Sequence, residues 1–260
     1  MPDNRPVGII PEIKMKITAV ITCYESISTI GLTLMSLFWQ TRRPDEIIVA
    51  DDGSSDILCS FVKGTLATIS QSSGIKSGFV THERTTPYRL NTIRNNGIHK
   101  ASGDLIFLID GDILVPRNFL LEHEQIHESM MKKGGSALVS CVRKNITHGG
   151  EIEEGRKSLW GHKLDKFLYS NDWFDMKLEP EQTLSQSTFL KSDWERVGQF
   201  DVDFDGHWGF DEIEFAYRLK KAGVRLTCHG LVYHIDEGPG AGNRDESRNS
   251  QLYGNKTAEK

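Results

Sequence analysis

Two aspartates separated by a single residue follow an apolar stretch of the chain. Asp110, Gly111 and Asp112 come directly after residues 105–109, all of which are apolar. Such a run predicts a strand that is buried on both faces. Because side chains alternate along a strand, we expect both carboxylates to point the same way and Gly111 to leave room for a ligand. Two hard oxygen ligands at the carboxyl end of a parallel strand suit a divalent cation that also binds phosphate, although Asp-x-Asp occurs in ordinary turns as well.

Two more acidic pairs lie where chemistry is expected. Asp51 and Asp52 follow the apolar residues 46–50, and Asp211 and Glu212 begin a stretch with helical periodicity. In an open α/β sheet, ligands bind outside the carboxyl ends of the strands, so the first pair belongs to that edge. The second pair has another explanation, because carboxylates at the start of a helix complement the helix dipole.

Several nucleotide-binding and catalytic motifs are missing from the sequence. It has no Gly-x-x-x-x-Gly-Lys-Ser/Thr loop, no Gly-x-Gly-x-x-Gly after the first predicted strand and no Gly-x-Ser-x-Gly. These gaps disfavour P-loop enzymes, dinucleotide oxidoreductases and α/β-hydrolases. A nucleotide handled by carboxylates and a metal ion fits transfer of a sugar from a nucleotide-sugar donor.

The elements that must position these carboxylates alternate between strand and helix. Residues 16–22 predict a strand, Ser28 is the expected cap of a helix that stops near Pro44, and residues 46–50 predict the next strand. Each of these strands breaks into a polar loop at its carboxyl end. The strand–helix–strand order predicts a parallel sheet.

The same alternation continues to residue 233. Helices are predicted over 57–76, 87–102, 116–133, 194–197 and 211–222, and strands over 78–82, 105–109, 137–142, 185–191 and 224–233. The glycines expected to end helices are Gly103, Gly198 and Gly223. The helix over 87–102 has one apolar stripe, and its other sides carry Arg94, Asn95 and Asn96. We therefore predict an α/β fold with a mostly parallel central sheet flanked by helices.

The composition is that of a globular chain without a basic face. The 260 residues, 38% hydrophobic and 26% charged, can bury one sizeable core. A net charge of -5 argues against nucleic acid as a partner. No apolar run approaches the roughly 18 residues of a membrane-spanning helix and no signal peptide is evident, so we expect a cytoplasmic protein. The four cysteines are far apart, which predicts reduced thiols and no zinc site.

Two stretches of the chain lack clear periodicity. Residues 143–182 are rich in aromatic residues, and such a long irregular stretch is usually functional or mobile. Trp160 and Trp173 are candidates to line an acceptor groove, and covering of the sheet is the alternative. From Glu237 the chain turns to Gly, Pro, Asn and charged residues, which predicts a tail that is either disordered or a lid that orders on binding.

Five segments of the sequence resemble glycosyltransferases of family 2, which have the GT-A fold. They are ITAVITCYES at 17–26, EIIVADDGSSD at 46–56, RNNGIHKASGDLIFLIDGD at 94–112, VGQFD at 197–201 and WGFDEIEFAYRLKKAG at 208–223. The resemblance covers residues 16–235. WGFDE and the later VYH also resemble the C-terminal half of galactosyltransferase and N-acetylgalactosaminyltransferase domains, including those of chondroitin-polymerase type.

The resemblance implies a Rossmann-like nucleotide-diphospho-sugar transferase built as a single catalytic domain over residues 1–260. Its nucleotide-binding half spans 16–113 and its acceptor half spans 114–235, with tails or a lid at 1–15 and 236–260. In the nucleotide-binding half, the resemblance places Thr22, Tyr24 and Glu25 beside the nucleotide base. It makes Asp51 an acceptor of a hydrogen bond from that base and leaves Asp52 to hold the loop.

The resemblance also implies a metal site. Asp112 binds Mn²⁺ or Mg²⁺ directly, Asp110 meets the ribose or the metal, and His234 completes the metal site as in some relatives. Arg94 faces the nucleotide side of the pocket, where it can pair with a carboxylate or a phosphate.

The sugar side of the pocket follows from the same resemblance. Asp211 and Glu212 stand where the family has a Glu-Asp pair whose second member is usually the base, so Glu212 is the first choice and Asp211 the reserve. Trp208 and Gly209 are expected beside a sugar, although core packing would also explain the tryptophan. Ser187 lies where relatives hold the donor sugar.

We therefore expect metal-dependent, inverting transfer of a sugar from a UDP-linked donor to a hydroxyl of a glycan or glycolipid. Inversion is expected because no candidate second nucleophile is evident. Two alternatives stay open: a sugar-phosphate nucleotidyltransferase, and a non-catalytic sugar- or protein-binding module on the same fold. The first usually has a loop rich in Gly and Lys after its first strand, which CYESIS lacks, and the second has no need of a base. Peripheral membrane association is a possible further interaction.

Overall fold

Eight strands form one mixed sheet in the computed structural model, which describes residues 14–84, 89–146, 177–235 and 245–258. The strands are β1 (Ile17–Cys23), β2 (Glu46–Asp51), β3 (Lys76–Thr81), β4 (Leu105–Asp110), β5 (Ile113–Leu114), β6 (Ala137–Ile146), β7 (Ser187–Leu190) and β8 (Arg225–Ile235). Their order across the sheet is β3-β2-β1-β4-β7-β6-β8-β5. Strands β3, β2, β1 and β4 run parallel, as do β6 and β8, whereas β7 and β5 pair antiparallel with their neighbours. The predicted α/β fold with a mostly parallel sheet is confirmed.

Seven α-helices accompany this sheet within the described residues. They are α1 (Ile30–Phe38), α2 (Asp56–Ser73), α3 (Leu90–Lys100), α4 (Phe119–Lys132), α5 (Lys191–Val197), α6 (Asp211–Lys221) and α7 (Ser247–Ala258). Core side chains form two large clusters. Phe107 and Ile109 of β4 belong to one cluster, and Ile106 and Leu108 belong to the other. The burial of β4 on both faces, predicted from its apolar run, is confirmed.

The ends of α1 differ from the prediction. Thr29, not Ser28, stands at the N-cap, and no side chain caps the helix there. The helix ends at Phe38, well before Pro44. The buried amide of Gln40 donates to the carbonyl oxygen of Pro116 at 2.8 Å and to that of Ser36 at 3.1 Å. The Gln40 side chain thus ties the segment after α1 both to the helix itself and to the loop before α4.

Helix α3 buries polar residues that the prediction left on its outer sides. Arg94 and Asn95 are both buried. The Asn95 side chain donates to the Phe200 carbonyl at 2.8 Å and accepts from the Phe200 N–H at 3.0 Å. The helix ends at Lys100 with Ala101 as its C-cap, so Gly103 does not cap it. Gly103 instead packs against β1, where an added Cβ would come within 2.6 Å of the Thr18 hydroxyl oxygen.

The other two predicted terminating glycines are confirmed. Gly198 is the left-handed C-cap of α5, at φ 92°. Gly223 follows α6 with φ 84°, and its N–H donates to the Lys220 carbonyl at 3.0 Å. The next N–H, of Val224, donates to the Leu219 carbonyl at 3.0 Å, which completes a Schellman motif.

Some predictions fall on residues outside the described ranges. Trp160 and Trp173 are among these residues. In the predicted tail, residues 247–258 form α7, so disorder is the wrong alternative for that part. All four cysteines are free, and Cys23, Cys141 and Cys228 are buried. Among the helices that the structure describes, none has the length and apolar character needed to cross a membrane.

Candidate active site

The carboxyl ends of β1, β2 and β4 meet at one edge of the sheet. In the parallel registers, Cys23 stands beside Asp51 and Thr22 beside Asp110. The acidic residues after β2 and β4 are therefore brought to the same edge, as their positions at strand ends predicted.

A cavity of about 230 Å³ opens at this edge. Thr22 and Tyr24 line it from the loop after β1, Asp52 lines it from the loop after β2, and Asp110 and Asp112 line it from the end of β4. Residues from α3 close its far side. We call it the first cavity; three residues that were expected beside the nucleotide, Thr22, Tyr24 and Asp110, line it.

Asp51 and Asp52 are placed differently from the expectation, because Asp52 and not Asp51 lines the first cavity. Asp51 is fully buried, and its carboxylate accepts hydrogen bonds from the N–H groups of Gly53 and Ser54 at 3.1 and 3.0 Å. It therefore holds its own loop and does not line the cavity. Asp52 does line the cavity, and its carboxylate is fixed by the His82 ring nitrogen at 2.6 Å. The sequence of a loop does not reveal which of two adjacent carboxylates faces the cavity.

Glu25 is also absent from the cavity wall. Its carboxylate accepts from the Ser55 N–H at 2.7 Å and from the Ser55 hydroxyl at 3.1 Å. These bonds tie the loop after β1 to the start of α2. Tyr24 remains on the wall, with the Arg84 guanidinium 4.8 Å from the centre of its ring.

Asp110 is held from β1 on one side and from the residues just before β7 on the other. Its carboxylate accepts from the Thr22 hydroxyl at 2.8 Å, and on the other side from Gln186 Nε2 at 2.7 Å and the Ser185 hydroxyl at 3.1 Å. Sequence reasoning missed Ser185 and Gln186 and chose Ser187, which is buried within β7 opposite Leu108. The only sequence signal for Ser185 and Gln186 is that they form a polar pair just before a strand. No motif distinguishes this pair from other polar pairs in the sequence.

Asp112 and His234 face each other across the β5–β8 pair. Asp112 Oδ2 lies 3.2 Å from His234 Nε2. Asp112 Oδ1 and His234 Nδ1 are buried, and neither has a hydrogen-bond partner in the described part of the chain. An unpaired carboxylate oxygen next to an imidazole is a suitable donor set for Mn²⁺.

The described residues supply only part of a metal shell. They contain no group of three or more His, Cys, Asp or Glu side chains arranged to hold an ion. Asp112 and His234 would therefore supply two of the ligands of a cation bound between them. Gly111 lines the first cavity, and its missing side chain also lets the protein pack closely: an added Cβ would lie 3.2 Å from the Thr22 carbonyl oxygen and 3.3 Å from Ile30 Cδ1.

A second cavity, of about 450 Å³, adjoins the first. The two share Leu90 and Asp110 in their walls. Asp211 and Glu212, at the start of α6, line the second cavity together with Trp208, whose side chain is 41% exposed. The structure thus brings Asp112 and Glu212 to neighbouring cavities on the same side of the sheet.

Arg94 organises the charges of this second cavity. It is 1% exposed, forms an ion pair with Asp211, and places Nη2 3.8 Å from Glu212 Oε1. Burial acts to raise the pKa of Asp211, but the Arg94 charge and the hydrogen bonds that the carboxylate accepts together outweigh it and lower that pKa. The pKa of Glu212 is raised, first by burial and then by the negative charge of Asp211. Asp211 is therefore an ionised partner of Arg94, and Glu212, with 28% of its side chain exposed, is the group suited to accept a proton.

The backbone before α6 adopts an uncommon conformation. Gly209 has φ 84° and Phe210 has φ 67°, so two successive residues are left-handed. Gly209 suits such a φ, whereas Phe210 does not. These two residues form the N-cap region of α6 and fix where Asp211 and Glu212 leave the loop.

The expected site residues thus fall into two groups. The residues brought together at the two cavities are Thr22, Tyr24, Arg94, Asp110, Asp112, Trp208, Gly209, Asp211, Glu212 and, through Asp112, His234. Asp51, Glu25 and Ser187 stand outside the cavity walls.

Solved structures of other proteins share this fold. S. aureus TarS 1-349 in complex with UDP-GlcNAc matches with a TM-score of 0.64 and 14% identity over 90% of this chain and 61% of that chain. A mannosyltransferase, PcManGT from Pyrobaculum calidifontis, in complex with GDP-Man and Mn²⁺, matches with a TM-score of 0.63 and 18% identity over 88% of this chain and 59% of that chain. The predicted GT-A glycosyltransferase fold is confirmed.

The sequence comparison gives the family. The model of the family described as glycosyl transferase family 2 matches residues 18–176, and the chain belongs to this family. An uncharacterized glycosyltransferase, YwdF of Bacillus subtilis, is 26% identical over 86% of this chain and 75% of its own length. Chondroitin synthase of Pasteurella multocida is also 26% identical, over 94% of this chain but only 27% of its own length. The chain therefore spans about a quarter of that relative.

Proposed function

We propose that this protein transfers a sugar from a nucleotide sugar to a hydroxyl group of a glycan or glycolipid. The observation that carries the proposal is the pair of adjoining cavities that share Asp110. A diphosphate held in the first cavity would present its sugar to the second, where Glu212 lies. Both the leaving group and the base are then within one continuous site.

The proposed donor is UDP-linked. Thr22, Tyr24 and Asp52 provide a wall for the nucleoside, and Asp110 lies next to it for the ribose or the metal. TarS, which shares the fold, was solved with UDP-GlcNAc, and this supports a UDP-sugar donor. PcManGT was solved with GDP-Man, so guanine nucleotides belong in the same test.

Asp112 and His234 are the residues proposed to hold Mn²⁺ or Mg²⁺, with Asp110 beside them. Bound there, the cation would neutralise charge on the departing diphosphate. The Mn²⁺ in the PcManGT complex supports use of a divalent metal by this fold.

Glu212 is the proposed base. It takes the proton from the acceptor hydroxyl as the oxygen attacks the anomeric carbon, while Arg94 and Asp211 hold their charges in place. A single displacement with one base inverts the anomeric centre. NMR of the product tests this, because a retained anomeric configuration would contradict the mechanism.

The decisive experiment is to incubate the protein with UDP-glucose, UDP-GlcNAc, UDP-GalNAc and GDP-mannose, with Mn²⁺ and without it. Release of the nucleoside diphosphate supports sugar transfer, with water or an added glycoside as acceptor. Release of pyrophosphate from a nucleoside triphosphate and a sugar phosphate would instead indicate a nucleotidyltransferase. Binding without release of either product would indicate a binding module.

A further inference from the structure

The C-terminal helix α7 is fastened to the loop that precedes the acidic pair. Asn249 of α7 is fully buried, and its side-chain Nδ2 lies 3.1, 3.0 and 2.9 Å from the carbonyl oxygens of Phe204, His207 and Gly209. One amide group therefore fixes three points of this loop. We call residues 201–210 the acidic-pair loop.

Other contacts reinforce this attachment. Lys256 of α7 forms ion pairs with Asp201 and Asp203. The Tyr253 ring lies 5.7 Å from the Phe210 ring, measured between centres. These contacts reach both ends of the acidic-pair loop from one helix.

The segment that begins α7 also enters the second cavity. Glu246, the residue before the helix, lines that cavity, and a Cβ added at Gly209 would lie 3.4 Å from Glu246 Cγ. The left-handed backbone at Gly209 and Phe210 is the conformation that these contacts must maintain. A strained backbone conformation of this kind persists only where several surrounding contacts hold it in place.

We propose that α7 is a positioning element of the active site, and that Asn249 is the positioning residue that sets the acidic-pair loop. The loop in turn fixes the direction in which Asp211 and Glu212 enter the second cavity. The role in turnover rests on the proposed function, whereas the control of loop order does not. The first cavity has no wall from α7, so nucleotide binding should be independent of Asn249.

The test compares Asn249→Ala and Asn249→Asp with Gln251→Ala, a control at an exposed position of the same helix. Hydrogen–deuterium exchange of residues 205–212 measures the order of the loop, and calorimetry measures affinity for UDP with Mn²⁺. Turnover of the nucleotide sugar is measured at saturating donor. We expect faster exchange, UDP affinity within about twofold of the wild type and turnover reduced about tenfold or more, because small misplacements of reacting groups cost large factors in rate.

Each outcome of the test is informative. Unchanged exchange in both Asn249 variants would overturn the proposal, as would equal losses of UDP affinity and turnover. If the Asn249 variants exchange faster but the wild-type protein turns over no nucleotide sugar, the loop attachment is supported and the proposed function is refuted. If the Asn249 variants do not fold, Lys256→Ala removes two ion pairs of the same attachment and should show a smaller change of the same kind.

Discussion

Arg94 shows how one side chain divides two adjacent carboxylates into different roles. It is almost fully buried beside Asp211 and is farther from Glu212. A buried charge without a partner costs several kcal/mol, so Arg94 and Asp211 keep each other ionised. The pKa of Glu212 is raised first by burial and then by the negative charge of Asp211, and the more distant Arg94 only partly offsets these two effects.

Replacing Glu212 by glutamine tests its role as base. Glutamine keeps the shape of the side chain but cannot accept a proton, so we expect kcat to fall by about 10²-fold to 10⁴-fold while UDP binding is kept. Steady-state kinetics and calorimetry measure the two effects. Glu214→Gln is an unsuitable control because Glu214 is paired with Arg218, so the exposed Glu195→Gln serves instead. Normal turnover by Glu212→Gln would show that the base is another group.

The raised pKa of Glu212 also predicts a pH dependence. The base works only when deprotonated, so kcat/KM should rise with pH through a range above that of an ordinary glutamate. In Asp211→Asn the negative charge beside Glu212 is gone and Arg94 is free to pair with Glu212. Both changes favour the ionised form of Glu212, so the rising limb of the pH profile of kcat/KM should move to lower pH. A limb that stays in place or moves to higher pH would contradict this account.

At the scale of elements, the strands were more predictable than the helix faces. The uninterrupted apolar run of β4 is enough to predict that the strand is buried on both faces. The buried face of helix α3 cannot be predicted in this way, because the burial of Arg94 depends on Asp211, which lies 117 residues away in the sequence. Periodicity counts apolar residues, so it cannot detect a face that is buried through an ion pair.

The site was predictable at strand ends and much less so in loops. A parallel sheet forces the residues after β1, β2 and β4 to one edge, and this placed Asp110 correctly. Which of Asp51 and Asp52 faces the cavity depends on hydrogen bonds within the loop. The contributions of Ser185 and Glu246 depend on segments that pack from far along the chain, and local patterns contain no information about them.

Substitutions at two helix glycines, Gly97 in α3 and Gly64 in α2, are expected to have opposite effects on stability. A Cβ at Gly97 would lie 2.6 Å from Val20 Cγ1 and 3.0 Å from Ala50 Cβ, so Gly97→Ala should lower the free energy of unfolding by about 1–3 kcal/mol. Gly64 in α2 has no atom within 4 Å of an added Cβ. Gly64→Ala should therefore stabilise the protein by about 0.5–1 kcal/mol through helix propensity. Urea denaturation measures both values, and equal effects of the two substitutions would contradict the packing argument.

At the scale of the whole molecule, the site joins two parts of the chain. The family model matches residues 18–176, yet Glu212 and His234 lie beyond that range. The antiparallel pairing of β5 with β8 brings His234 beside the end of β4, and α6 places Glu212 in the second cavity, which shares Asp110 with the first. The proposed metal ligand His234 and the proposed base Glu212 therefore depend on β8 and α6 for their position relative to the edge formed by β1, β2 and β4.

Joint binding of nucleotide and metal should stabilise the folded molecule, since a ligand that binds only the native state shifts unfolding by mass action. With UDP and Mn²⁺ at about a hundredfold their dissociation constant, we expect about 2.7 kcal/mol more free energy of unfolding. In Asp112→Ala, Mn²⁺ should add nothing to the effect of UDP alone, because the carboxylate facing His234 is lost. The exposed Asp56→Ala is the matched control and should respond like the wild type. If Mn²⁺ still strengthened the UDP effect in Asp112→Ala, the cation would be held elsewhere, and the alignment of Asp112 with His234 would have only a structural explanation.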